Sequence, residues 1–480
     1  LEEHNLIVPV FVVNVSLFTF FIGIWTLLYI VTTTHINFVN EEASTKWLIL
    51  FYALPVICVG LIYWIGFYPG VMTPDSLNHW MQIETYEFSN WHPFLYTMLM
   101  LGLTQMWESP AIISLFQVLA IGFVYGYAMY SLRRMGIPSY ALMITTAVFA
   151  IVPVMGIYSV TLWKDVLYSL MILLFTIIIM NIVVSRGEWL RPWTSIVFLT
   201  IVAILVSFLR NNGFPIAVLT LLMLAAFFWH YWRSFVIPVA VTVATYLIVT
   251  GPVFTALDVN SAQFTESLSI PHQQIANIIS NDGEMTESEK EYFDAVLPLE
   301  EWEESYYPFL SDEIKFHPEL NQELILDDVP RYFGNWASLV SNNFSLAVDA
   351  YKDQTSLGWQ IYESGYTAAY ANEIFDNEYG LEMNPPSEFL HNRLRFYLDF
   401  TQDNLLEIVW RPALFTFFLA LLTFASYLKN GMPSLLVAVP VILNWGTLMA
   451  GLPAQDFRYL LANYFTLFVI ALFAFVRYKK

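Results

Sequence analysis

Cysteine is almost missing from this chain: Cys58 is the single one in 480 residues. Neither an internal disulfide nor a cysteine metal cluster is available, and a sizeable exported domain built this way fits bacteria that rely little on disulfides. Charge is scarce too. Asp, Glu, Lys and Arg supply 12% of the residues, against ~25% in an ordinary soluble domain. The absence of P-loop, GxGxxG, GxSxG and HExxH patterns argues against a cytoplasmic nucleotide-driven machine. No cleavable signal peptide is read, because the first apolar run is long and lacks a small-residue cleavage site. The chain opens on Leu1 instead of Met, so further residues are expected before it.

Apolar sequence is what abounds: 57% of the chain is hydrophobic and 17% aromatic. VPVFVVNVSLFTFFIGIWTLLYIV from Val8 and ITTAVFAIVPVMGIYSVTLW from Ile144 each run about 18 residues or more without a charge, the length a helix needs to cross hydrocarbon. They predict an all-α polytopic membrane protein seated in a lipid bilayer. Candidate spans fall near residues 6–31, 47–67, 111–132, 138–158, 166–184, 194–209, 214–229, 234–256, 405–428, 432–450 and 457–476, about eleven in all by length. Segment 93–107 is short for a crossing. Lys and Arg decide its place, since short cytoplasmic loops are rich in both. With 93–107 lying along the interface, Lys46, Arg133, Arg134, Arg186, Arg191, Arg233, Lys429, Arg477, Lys479 and Lys480 all fall on one side. This threading predicts a multi-pass protein of the cytoplasmic membrane.

The formal charge of −20 is concentrated in one place. Residues 257–404 hold 28 acidic and 6 basic residues, and the remainder 12 and 14. Three parts follow: an N-terminal transmembrane module over 1–256 with external loops at 68–110 and 158–166, an acidic extracytoplasmic insert over 257–404, and C-terminal transmembrane helices over 405–480. The insert reads as mostly helical. Ser269–Ile270–Pro271 opens HQQIANII, Thr286 with Glu289 forms a capping-box pattern, and FGNWASLVSNNFSLAVDAY and SEFLHNRLRFYLDF are amphipathic. Its acidity gives no reason to expect nucleic acid as a partner.

On the external side, the few charges of short segments that adjoin spans include Asp75, Lys164, Asp165, Arg210, Asp456 and Arg458, rimmed by Trp91, Trp163 and Tyr459. In TPDSLNHWMQ, Thr73 caps and Pro74 starts a helix whose Asp75, Asn78, His79 and Gln82 share one side. Asp75 there either complements the helix dipole or serves a polar site, and His92 before Pro93 is either a satisfied histidine or a donor to an anion. Lys164 and Asp165 interrupt nearly unbroken apolar sequence; such charges mark function or sit at the interface by snorkelling. Arg210 in FLRNNGFP and Arg458 in AQDFRY suit a phosphate, because the guanidinium fork donates two parallel hydrogen bonds, or else pair locally with Asp165 and Asp456. Gln273 and Gln274 are candidate substrate contacts.

Together YPGVMTPDS, SNWHPFLY, LWKD, SIPHQQIA and DFRYLLANYF resemble the GT-C superfamily of multispanning glycosyltransferases, in a bacterial branch. The resemblance covers nearly the whole chain through short motifs. It implies a polyprenyl-phosphate-sugar donor and a glycopolymer or glycolipid acceptor, such as a teichoic acid or surface polysaccharide, outside the cytoplasmic membrane. It further implies Asp75 as general base and Lys164, Arg210 or Arg458 as partners of the leaving phosphate. His92 and Asp165 would orient the substrates or a divalent metal such as Mg or Mn. Many relatives carry paired acids in the first loop, whereas Asp75 is followed by Ser76, which weighs against metal binding there. The competing readings are a flippase or transporter of lipid-linked sugars, which would show internal repeats or acids buried mid-span, and a non-catalytic membrane-anchored sensor or assembly protein.

Overall fold

The computed structural model describes residues 7–37, 45–261, 264–362, 365 and 367–478. Among the described residues the named strands are two-residue pieces, Ile36–Asn37 and Val476–Arg477, paired in parallel. The rest of the regular structure is helical, as expected. Among the described residues six helices are long and apolar enough to cross a membrane, and seven if the bent pair Ser139–Ile151 and Pro153–Val160 makes one span. Trp193–Leu209, Gly213–Phe227 and Phe457–Phe473 are apolar but have only 10–17 residues, whereas the apolar helix Ile7–Thr33 runs for 27. Among the described residues length and composition therefore support six or seven spans and do not reach the expected count of about eleven. The bent pair has a local cause. Pro153 lacks the N–H that would continue the ladder, and the chain bends by 59° there. Phe94–Thr104, from the segment placed along the interface, has 11 residues and covers about 16 Å, half of a hydrocarbon core.

Lys164–Val184 is the central helix, with only Lys164, Met171 and Asn181 escaping burial. A helix apolar on every side is stable only when surrounded, and its N-terminal end delivers Lys164 and Asp165 to the site. Trp47–Gly66 and Pro110–Arg134 pack against each other. At Gly122 and Gly126 a side chain would collide with Ile57 and with the Ile49 carbonyl, the close approach that small residues four apart permit. At the end of the bundle away from the site, Lys429 donates to the carbonyls of Thr34 and Ala474, and Asn430 to that of Val476. Lys429 and Arg477 of the basic set meet there; Lys479, Lys480 and residue 6 lie outside the described residues.

The insert has its own core of Ile275, Ile278, Phe293, Val296, Trp302, Tyr332 and Leu339. Its helices include Ser269–Ser280, Glu287–Val296, Val329–Asn342 and Phe344–Thr355. The capping box forms: Thr286 N–H donates to Glu289 Oε2 at 2.8 Å, and Glu289 N–H to Thr286 Oγ1 at 3.2 Å. Beyond residue 356 the insert behaves differently from the expected domain. Leu357 packs with Leu448 and Leu452, and Ala369 and Leu398 join the membrane core.

Candidate functional site

Four chain segments are stitched together where the membrane helices meet the insert. Val71 N–H donates to the Val160 carbonyl and Leu162 N–H to that of Val71; Phe375 N–H reaches the Met72 carbonyl, and Phe457 N–H that of Ala368. Side chains tighten the seam. Trp163 Nε1 donates to Thr73 Oγ1 at 2.6 Å, and Ser76 Oγ to the Leu162 carbonyl at 2.8 Å. Ser76 is thus a buried hydroxyl donor. A carboxylate there would face that carbonyl with nothing to donate.

On this seam Pro74–Thr85 presents Asp75 from its first turn. Asp75 Oδ2 accepts from Lys164 Nζ and from Arg458 Nη1, each at 2.8 Å. Its Oδ1 lies 4.0 Å from His92 Nε2. Burial pushes the Asp75 carboxyl upward, but Arg458, Lys164 and His92 outweigh it and hold the group well below the usual carboxylate range. Lys164 Nζ also lies 2.9 Å from His92 Nδ1. An ammonium only donates, so Nδ1 accepts and the ring proton is assigned to Nε2, on the Asp75 side. Burial and then Lys164 push His92 down to about 3, which keeps it neutral at physiological pH. Trp91 stacks on its ring at 5.0 Å.

Arg458 joins two acids. Its Nε lies 2.9 Å from Asp456 Oδ2, and its guanidinium lies over Trp163 at 4.6 Å. Burial pushes Asp456 up to about 6, against the pull of Arg458. Arg210 Nη1 sits 3.4 Å from Asp165 Oδ1 and donates to the Tyr459 carbonyl at 3.3 Å. Asp165 is 1% exposed and neither of its oxygens has a hydrogen-bond partner, so Arg210 supplies its charge balance from above.

These groups surround a cavity of about 1220 Å³ lined by Asp75, His92, Lys164, Arg210, Asp456 and Arg458. Six of the nine expected site residues thus converge, drawn from five separate segments. Asp165 lies beneath Arg210 instead of in the lining. Gln273 and Gln274 are the correction. They belong to the insert core, where Gln273 Nε2 donates to the Tyr307 carbonyl and Gln274 bridges the Ala347 carbonyl and Trp336 Nε1. The Ser269–Ser280 helix is buried on nearly every side, so its amides serve groups of the insert and not the cavity.

The cavity also has a roof that the motifs did not announce. Asp312, Lys315 and Phe316 of the insert line it, and Ser311 fastens them by donating to the Pro453 carbonyl through N–H and Oγ. Lys315 is one of only six basic residues in 257–404, the one sequence signal that singled it out. Residues 367–373, another wall, have no periodicity to mark them. They are held by Arg411, fully buried, which donates to Thr367 Oγ1 and to the Gln360 carbonyl at 2.8 Å.

The donor set does not fit a divalent metal. Asp75 Oδ2 is taken by two cationic donors and His92 Nδ1 by Lys164. Among the described residues no three His, Cys, Asp or Glu side chains gather as a metal would need.

The chain belongs to the family DUF6020, described as a family of unknown function, whose model matches residues 77–480. The match begins two residues after Asp75 and takes in His92, Lys164, Arg210, Asp456 and Arg458. Neither a curated protein nor a solved structure matches the chain.

Proposed function

We propose that the protein is an integral-membrane glycosyltransferase. It moves a sugar from a polyprenyl-phosphate carrier to a hydroxyl of a cell-wall or surface glycopolymer or glycolipid, at the outer face of the cytoplasmic membrane. The observation that carries this reading is Asp75 held between Lys164 and Arg458 in the lining of a large cavity. A carboxylate suits a hydroxyl proton and a pair of cations suits a phosphate. Placed one hydrogen bond apart, they suit a reaction in which the one is lost as the other leaves.

In that reaction the acceptor oxygen bonds to the anomeric carbon and the bond from that carbon to the phosphate oxygen breaks. The lipid phosphate departs with the electron pair, and the acceptor proton passes to Asp75. Lys164 and Arg458 meet the charge growing on the phosphate, the kind of preorganised stabilisation that is often the largest contribution to catalysis. Arg210 gives the same pocket a second fork, and His92 Nε2–H helps to orient the hydroxyl. Before the donor binds, both cations depress the basicity of Asp75. A bound phosphate shares them, which returns Asp75 toward the range in which a base works. No step is routed through a metal, since the chain's own cations occupy its place. The topology we adopt has eleven crossings, the short apolar helices included, with the insert outside.

Sugar transfer by the purified protein in nanodiscs, supplied with a panel of polyprenyl-phosphate sugars, tests this. Asp75→Asn is expected to lower turnover roughly 100-fold or more, within the range that positioned proton transfer contributes, while donor binding persists. Lys164→Met is expected to weaken donor binding. Near-wild-type turnover by Asp75→Asn would remove the base assignment, and donor binding without turnover by the wild type would remove the transferase.

A further inference from the structure

The helix Glu388–Leu405 leaves three phenylalanines outside: Phe389, Phe396 and Phe400 are 71%, 66% and 48% exposed. Their spacing returns to one side of an α-helix, so they form a stripe. The opposite side is packed on the protein. Leu398 and Thr401 are buried, Leu394 meets Gly66, and His391 Nδ1 lies 2.8 Å from the Gly66 carbonyl. Arg395 and Glu388 stand exposed on a flank of the stripe, while Arg393 lies over the Phe389 ring at 5.3 Å.

The neighbours of this helix identify what covers the stripe. Gly66 ends the 20-residue membrane helix Trp47–Gly66. Tyr397 donates to the carbonyl of Ile151 at 3.2 Å, and Ile151 ends a helix whose Ile144, Val148 and Ile151 all point outward. After the π-helical segment Leu406–Trp410 the chain enters the membrane helix Pro412–Asn430. The helix that carries the stripe therefore touches the ends of two apolar helices and runs into a third, at the end of Trp47–Gly66 from which the chain leads on to Asp75.

We propose that Glu388–Leu405 lies in the bilayer interface, with Phe389, Phe396 and Phe400 among the acyl chains and Glu388 and Arg395 in the headgroup layer. An amphipathic helix of low mean hydropathy with aromatics on one side takes this position, and the long stem of Arg393 lets its charge rise to the headgroups. The helix is also a partition. Gln402, two positions after Phe400, lines the cavity, and Asp399 accepts from Tyr370, another lining residue, at 2.9 Å. A single helix, about 10–12 Å across with its side chains, separates the cavity from lipid. The surface follows from membrane insertion alone and holds whatever reaction the cavity serves.

Cys58 is the only thiol, so a Cys58→Ser background allows single nitroxide labels at Phe389→Cys, Phe396→Cys, Phe400→Cys, Glu388→Cys and Arg395→Cys. The full chain is placed in phosphatidylcholine liposomes, and collisions with oxygen and with a water-soluble nickel chelate are read by power-saturation EPR. Oxygen is expected to dominate at 389, 396 and 400, and the ratio to reverse at 388 and 395. Nickel contact at the stripe equal to that at 388 would put it in water and overturn the proposal. Low contact with both reagents would mean a protein cover and overturn it equally. If a labelled variant fails to fold, the native chain can be crosslinked to a phospholipid with a photoreactive acyl chain. Adducts within 389–400 support the proposal, and adducts at 144–151 with none at 389–400 overturn it.

Discussion

Asp75 and Asp456 share one guanidinium yet are driven in opposite directions. Asp75 gains Lys164 as well as Arg458 and is held low, whereas burial wins at Asp456 and lifts it to about 6. The two therefore differ in their effect on stability. A depressed carboxyl contributes stability above its unfolded value, lost only as pH falls through the folded value, so Asp75 adds no slope between pH 5 and 8. A raised carboxyl contributes stability below its unfolded value near 4, lost as pH rises through about 6. The apparent Tm of the wild type relative to Asp456→Asn is thus expected to decline as pH rises from about 4 to 7 and then level off. Thermal melts of both proteins across that range check it, and a constant difference would contradict the assigned direction. At this scale the residue types were readable from the chain, because charges beside apolar runs are rare and stand out. Their pairing was not. Lys164 and Arg458 are 89 and 383 positions from Asp75, and no local pattern spans that distance.

Elements hold these groups in place through backbone contacts more than through helix packing. Residues 367–373, a wall of the cavity, depend on Arg411, which reaches the Gln360 and Ser356 carbonyls and Thr367 Oγ1. Replacing it by Met removes the donors and leaves buried acceptors unpaired, at a cost of roughly 1–3 kcal/mol for each such group. Arg411→Met is expected to lower the apparent Tm by several degrees and to reduce transfer, with Arg411→Lys intermediate because one ammonium cannot copy the fork. Differential scanning fluorimetry in detergent reads the first effect and the transfer assay the second. Helix starts were legible from Thr73–Pro74 and Thr286–Glu289, where caps and prolines act within one turn. The lengths of the membrane helices were less legible. Hydropathy runs smoothly through Val152–Pro153, whereas the backbone bends by 59°.

On the scale of the molecule, the acidic insert divides. Residues 268–347 surround a core of their own, whereas Leu357, Ala369 and Leu398 are buried against membrane helices. A fragment spanning 264–356 is expected to fold alone, with helical circular dichroism and a cooperative melt. Extension to residue 404 is expected to add exposed apolar surface and aggregation without adding to that melt. Sedimentation and thermal melts of the two fragments decide between this division and a single domain over 257–404.

Composition and charge placement were sufficient for a helical membrane protein with an acidic insert, and for the set of charges gathered on one face. These follow from solvation, which acts on each segment separately: apolar runs enter lipid, and charges stay at their ends. Packing decided the rest. It clamped Asp75 between two cations, turned Gln273 and Gln274 into the insert core, and sent Lys315 and Phe316 over the cavity. It also laid Phe389, Phe396 and Phe400 on the outside of a wall one helix thick. Each depends on which distant surfaces meet, and burial, charge pairing and hydrogen-bond completion settle that only when the whole chain is assembled.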